Sequence, residues 1–350
     1  MAGTDQLSAH LDRGWDLLNR KDLESAVRSA QRAIELAPED PEGYYLLGSI
    51  EARAGRADDA LRHFKEAYDL DDGYVDAFLA AAEIRLGLGQ ADACIELCDE
   101  VLSFVEDPRA VTDATLLKFD ARIQSEDRAG AASALEALPA EDLDDPSLHH
   151  RMGVAFWELG NVPSAARHFA RAAALDPSLA DAHYFLGLCR SEQGDPLGAI
   201  AHWLRTRALD AEEAERSRTV TAEEFRALAL RAIDALPREL RARLGEATLE
   251  IALLPAAELV AEGTDPRIAC WFAAAADPEP APAPARKKAA PPAPRLTAVF
   301  VYQANLLRGI GPEVDVEEDL RATIAHEASH FFAISDEEMK RLGLAALHEH

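Results

Sequence analysis

Two stretches far apart in the chain spell nearly the same pattern. "YYLLGSIEARAGRADDALRHFKEAYDL" (44–70) and "HYFLGLCRSEQGDPLGAIAHWLRTRAL" (183–209) each open on aromatic residues, continue with Leu-Gly, pass a glycine turn, and then place an alanine and a large aromatic. Gly14 and Gly48 stand 34 residues apart, and so do Gly153 and Gly187. A period of this length constrains the fold more than any other feature. Each copy is one supersecondary unit that cannot bury its apolar face alone, so copies must stack. In such a stack small residues let two helices approach, and large ones fill the groove of the next unit.

The positions can be followed through the copies. Gly14, Gly48, Gly153 and Gly187 hold a small position in the first helix, with Ala82 in a third unit. Ala26, Ala60, Ala165 and Ala199 hold one in the second helix, with Cys94 in the third unit. Phe64, Phe169 and Trp203 are the large wedges, Ala33, Ala67 and Ala172 follow one turn later, and Pro38 and Pro177 close their units, where proline cannot continue a helix. The pattern is identified as that of the tetratricopeptide repeat, a helix-turn-helix unit. Five units are clear, starting near residues 7, 41, 75, 146 and 180. The stretch 109–142 has the right length for a sixth but lacks the glycine signature; it reads as a degenerate unit, or else as a gap in the array.

This resemblance implies a helical solenoid over 1–213, with a concave face lined by the first helix of each unit. Trp15, Tyr45, His150, Trp157 and Tyr184 are expected there, as an aromatic, weakly polar groove or as inter-helix core. No row of Lys or Arg is set out to clamp a peptide carboxylate. The expected ligand of this face is a protein or peptide.

Charge narrows the partners. With 36 Lys and Arg against 63 Asp and Glu, the formal net charge is −27. That field repels phosphate backbones and anionic membrane surfaces, so neither nucleic acid nor membrane is an expected partner. No apolar run is long enough to span a bilayer, and the first residues lack the basic start and apolar core of a secretory signal. A soluble, cytoplasmic protein is expected. The cysteines, Cys94, Cys98, Cys189 and Cys270, form no CxxC pair. They read as small buried fillers, with a metal or redox pair at Cys94 and Cys98 as the alternative.

After residue 213 the repeat stops. Thr221, three residues before Glu224, has capping-box spacing at the head of a helix in 219–240. Residues 247–255, 266–274 and 296–308 read as strands. Residues 277–296, "DPEPAPAPARKKAAPPAPRL", form a Pro/Ala-rich insert, read as a solvated loop or a ligand for a proline-binding module. Gly309, Gly311 and Pro312 mark a turn, and a helix over 315–334 carries "HEASH".

On a helix, positions four apart share a face, so His326 and His330 can hold one zinc ion through imidazole nitrogens, with Glu327 beside them to take a proton from water. Three protein ligands and one open position make a catalytic zinc site. The ordered run of "EEFRALALRAIDALPREL", a strand ending in proline, "PRIACWF", "VFVYQANLLR" and "HEASHFFAISDEEM" resembles the minimal zincin, a small metallopeptidase domain, over about 220–345. Its pattern HExxHxxGxxD implies Asp336 as the third ligand; Glu337, Glu338 and His348 are the runners-up. The glycine of that pattern is Ala333 here, which makes a left-handed turn costlier by roughly 1 kcal/mol and leaves another path for the loop open. Phe331 and Phe332 read as core anchors, and 297–302 as the sheet edge on which an extended peptide docks.

The expectation is a mainly α chain: a repeat solenoid over 1–213 followed by a small α+β zincin-like domain over 214–350. It would be a zinc-dependent peptidase with catalytic Glu327 and ligands His326, His330 and Asp336. The alternative is a non-catalytic scaffold with a vestigial zincin-like domain.

Overall fold

The computed structural model describes residues 2–139, 143–217, 220–274, 295–308 and 315–344. The chain divides into two compact units, Met1–Asp176 and Pro177–His350.

In the N-terminal unit the helices pair: α1 (Ala2–Asn19) with α2 (Leu23–Leu36), α3 (Pro41–Arg53) with α4 (Ala57–Leu70), α5 (Val75–Gly87) with α6 (Ala91–Phe104), α7 (Pro108–Gln124) with α8 (Arg128–Ala134), and α9 (Pro146–Glu158) with α10 (Val162–Leu175). Starts are fixed by short acceptors: Asp22, Asp40, Asp107, Asp145 and Asn161 each accept a backbone N–H of the first turn. The turn inside each pair needs a left-handed residue. Gly55, Gly89 and Gly160 supply it at φ of 74°, 72° and 77°, while Lys21 and Glu126 hold the same place at 62° and 59°.

Glycine in the first helix admits the wedge. A Cβ on Gly48 would stand 2.6 Å from the Phe64 ring, and one on Gly153 would stand 2.6 Å from Phe169. The ring therefore lies on the backbone of its own unit, which a bare glycine leaves uncovered, and Phe64 also meets the next unit, where it clusters with Ala80, Ala81 and Ile84 of α5. The third unit has Ala82 in place of glycine, and the buried Cys98 stands where its neighbours carry the aromatic. All four cysteines are buried free thiols. Within the stretch 109–142 the described residues form a helical hairpin with a short second arm: α8 has 7 residues and a 3-10 turn follows at Leu135–Ala137, against 14 residues in α2, α4, α6 and α10.

The C-terminal unit begins with the last repeat hairpin, α11 (Ala180–Glu192) and α12 (Pro196–Ser217). Then come α13 (Ala222–Asp234), α14 (Arg238–Leu244), β1 (Thr248–Ala252), α15 (Ala257–Ala261), β2 (Cys270–Ala274), β3 (Leu296–Tyr302), α16 (Gln303–Leu306), α17 (Val316–Phe331) and α18 (Asp336–Arg341). The capping box of α13 is complete: Thr221 accepts from the Glu224 N–H, and Glu224 accepts from the Thr221 N–H. The sheet runs β1-β3-β2, with β1 parallel and β2 antiparallel to β3. Phe225, Leu240, Val299, Val301, Leu320 and Ile324 form the core where α13 and α17 cover it.

Two strand expectations are corrected. The segment 297–302 lies in β3, the middle strand, so the edges are β1 and β2. The strand expected over 296–308 ends at Tyr302, because Gln303 donates to the Val220 carbonyl and Asn305 to those of Pro266 and Ile268, which the helical turn of α16 allows. The Pro/Ala-rich insert up to 294 and the turn at Gly309, Gly311 and Pro312 lie outside the described residues.

The last repeat hairpin is covered by chain from the same unit. Val260 of α15 is fully buried against Ala199 and Trp203, with Tyr184 and Leu188 beside it. The Tyr184 hydroxyl donates to Asp265, and the Arg267 guanidinium sits 4.5 Å above its ring. Tyr184 is thus packed under residues 260–267 and not an open groove position. No helix among the described residues is long and apolar enough to cross a membrane.

Candidate metal centre

Helix α17 starts where the Asp315 carboxylate accepts the Glu317 N–H, and Glu317, Glu318 and Asp319 favour its positive end. Its apolar stripe, Leu320, Ile324, Ala325 and Ala328, is buried in the sheet core. The stripe fixes the helix's rotation and so turns His326 and His330 out together. Their Nε2 atoms face each other at 3.1 Å, the rings edge to face with centroids 4.6 Å apart. His326 is half-buried and His330 exposed.

Glu327 sits on α17, which packs against β2. It is half-buried, and burial raises its carboxyl above the ordinary carboxylate value, with His330 pulling the other way. It lies within electrostatic reach of the buried Cys270 thiol at the start of β2; burial foremost, and then the Glu327 charge, push that thiol upward. Phe331 packs its ring 5.6 Å from Phe272 of β2 and 5.0 Å from Phe332, and both phenylalanines lean on the core as anchors.

The helix ends in a left-handed turn. Ala333 has φ of 50°, its N–H bonds the His330 carbonyl, and the Ile334 N–H bonds back to Ser329. That is a Schellman closure with an alanine where glycine costs least. The loop therefore follows the path a glycine would take, and Ser335 at once caps α18 by accepting the Glu338 N–H. Asp336 is the first residue of α18, directly after the turn; its side chain lies outside the described residues. Of the runners-up, Glu337 is exposed, Glu338 is held by Arg243 and Arg341, and His348 lies outside the described residues.

A zinc ion binds imidazole nitrogen at about 2.0–2.1 Å, so two nitrogens 3.1 Å apart can both reach one ion. Neutral imidazoles with a carboxylate nearby suit zinc. Among the described residues no group of three or more His, Cys, Asp or Glu side chains is gathered to hold a metal.

Two neighbours of the site were absent from the motif reading. The electrostatic neighbourhood of Cys270 and Glu327 is a tertiary relation that no local spacing announces. The role of β2 as the sheet edge beside α17 depends on strand order, which periodicity does not encode.

Family models match in two regions. Tetratricopeptide-repeat models match residues 11–75, 150–214 and 51–112, and a model described as a zincin-like metallopeptidase matches 274–345. Superkiller protein 3 of Schizosaccharomyces pombe is 32% identical over 96 residues, 27% of this chain and 7% of that protein. The match thus spans a small fraction of the relative's length. Similar solved structures include Pseudomonas aeruginosa pilF, at 14% identity over 60% of this chain and 94% of that one with a TM-score of 0.49. Another is YrrB, described as a tetratricopeptide-repeat protein with an unusual peptide-binding site, at 18% identity over 51% and 91% with a TM-score of 0.38.

Proposed function

We propose that this chain, which joins tetratricopeptide repeats in its N-terminal part to a zincin-like metallopeptidase domain matched over 274–345, is a zinc-dependent peptidase whose repeats dock protein partners. One observation carries the reading: two imidazole nitrogens 3.1 Å apart on α17, beside a half-buried carboxyl with a raised pKa.

His326 and His330 would hold the ion, with Asp336 as the third ligand. Zinc bound there supplies Lewis acidity toward a peptide carbonyl and toward water. Glu327 accepts a proton from the attacking water and passes it to the departing amine. Burial holds its carboxyl above the ordinary carboxylate value, the direction that favours taking up a proton. The outer edge of β2 has no strand partner among the described residues, and there an extended peptide would add a strand beside the site. Trp271, 40% exposed on β2, offers an apolar contact to such a peptide. The cytoplasm is the compartment this reading assumes.

Ala333, at φ of 50°, takes the left-handed turn of the pattern's glycine, which supports this reading over that of a non-catalytic scaffold. The test is metal analysis with a peptide-library assay. The parent chain is expected to carry one zinc, His326→Ala to lose it, and Glu327→Gln to keep it while cleavage disappears. Stoichiometric zinc missing from the parent, or cleavage by Glu327→Gln at the parent rate, sinks the reading.

A further inference from the structure

The N-terminal unit carries a trough with a chemistry of its own. Helices α1, α3, α5, α7 and α9 neighbour one another in that order. At one end a cavity of about 360 Å³ is floored by Leu18, Tyr45, Phe64 and Ile84, with Glu83 and Arg53 at its rim. Trp15 packs 5.7 Å from Tyr45, and Tyr74 meets Tyr45 edge-on at 5.4 Å.

Farther along, the first helices present acids. Glu83 on α5 and Asp113 and Asp120 on α7 lie within electrostatic reach of one guanidinium, Arg151 on α9, which donates to Asp113, and Glu158 on α9 lies within reach of Asp120. Burial, followed by the charge of Asp113, raises the Glu83 carboxyl, and Arg151 lowers it. Asp120 is pushed up to about 6, foremost by burial and then by Glu158, with Arg151 again opposing, and both it and Glu83 keep an exposed surface. Burial raises the Tyr45 phenol, with Asp76 and Glu83 next, which ties the aromatic end to the acidic one. Among the described residues, no cation pairs with the side chains of Asp76, Glu83, Asp120 or Glu158.

We propose that this trough takes a cationic segment of a partner protein, an extended stretch rich in Lys and Arg. The proposal rests on the docking reading above and names the partner's chemistry. The side chains of Lys and Arg have apolar stems and charged ends. The stems fit the aromatic floor, where a cation also gains from ring faces. The charged ends reach Glu83 and Asp120, each of which now faces another acid, Asp113 and Glu158 respectively. An anionic or apolar segment would cover those exposed acids without bringing them a counter-charge.

The test is fluorescence anisotropy on the full chain with three labelled peptides of one length: Lys/Arg-rich, its Glu-substituted reverse, and its Gln-substituted neutral form. The cationic peptide is expected to bind and to weaken between about 50 and 300 mM salt. The double variant Glu83→Gln/Asp120→Asn is expected to bind it about tenfold more weakly. Burial is the largest cause of the raised carboxyl pKa at both positions, so a neutral amide at each is expected to leave the variant melting no lower than the parent. Glu96→Gln/Glu100→Gln, on the second-helix side at α6, is the control for the diffuse field of the acidic chain and is expected to change binding by less than about twofold. An equal loss in the control, no loss in the trough variant, or equal binding of the neutral or acidic peptide overturns the cationic assignment. Binding of no peptide at all overturns the docking reading beneath it, and neither result bears on the zinc and cleavage assays.

Discussion

At the residue scale Ala333 is the most telling position. The motif needs a chain reversal three residues after His330, and the structure makes it with an alanine at φ of 50°. An L side chain there costs roughly 1 kcal/mol, which glycine would not incur. Ala333→Gly is therefore expected to raise stability by about 1 kcal/mol, read as a higher thermal midpoint with metal content unchanged. A lower midpoint would mean that the alanine methyl contributes packing that outweighs its strain. The same logic separates what could be read from the sequence and what could not. That His326 and His330 share a face was legible because a helix places four-apart residues on one side whatever surrounds it. The proximity of Cys270 to Glu327 was not legible, since it arises only once β2 packs against α17.

At the element scale the 34-residue period made the helical pairs legible, because each unit repeats the same small and large positions. Glycine plays two separable parts in them. A Cβ on Gly187 would stand 2.3 Å from the Trp203 ring, while Gly194 faces open space at φ of 74°. Gly187→Ala is expected to cost about 1–3 kcal/mol through overpacking, and Gly194→Ala about 1 kcal/mol through backbone strain. Denaturant titration of each variant checks the order; the reverse order would show that the wedge is free to move. The acidic character of the first helices was missed, because a periodic pattern weighs apolar positions and passes over charged ones on the open face.

Two units also share a device the repeat pattern does not list. His149 and His168 bring their Nδ1 atoms to 3.1 Å, and His183 and His202, each 34 residues on, bring theirs to 3.3 Å. In the second pair Nε2 of His183 lies 3.3 Å from the Pro177 carbonyl, so it carries the proton there and leaves Nδ1 to accept. Burial lowers both His183 and His202 below the ordinary histidine value. A lowered folded-state pKa means that the unfolded chain binds protons first as pH falls. The pair's contribution is thus expected to be whole above about pH 6.5 and to be lost below it. Melting curves from pH 8 to 5 should show a steeper acid loss in the parent than in His183→Gln/His202→Gln, and parallel losses would exclude the pair as the cause.

At the scale of the whole molecule, the end of the repeat pattern near 213 does not coincide with the boundary between compact units at Asp176 and Pro177. The last hairpin, α11 and α12, belongs with the zincin-like part. Arg267 explains how. Its side chain is 12% exposed and bonds Asp210, which is 3% exposed, and Asp181; Arg308 also reaches Asp210. Asp210 lies on α12, so a carboxylate of the repeat is neutralised by two arginines of the following domain. Removing one partner of a buried pair leaves its charge in a poor solvent. Arg267→Ala is expected to cost roughly 3 kcal/mol, moderated by the Arg308 that remains. The same reasoning applies to fragments. A chain of residues 177–350 keeps Trp203 over Val260 and the Arg267 network, and it is expected to unfold in one cooperative transition. A chain of residues 214–350, cut where the repeat pattern ends, exposes Val260 and leaves Arg267 without Asp210 and Asp181. It is expected to show poor dispersion in a proton-nitrogen NMR spectrum and to bind zinc less tightly, since α17 rests on a sheet that has lost part of its support. Equal folding of the two fragments would mean that the hairpin is a passenger on the domain.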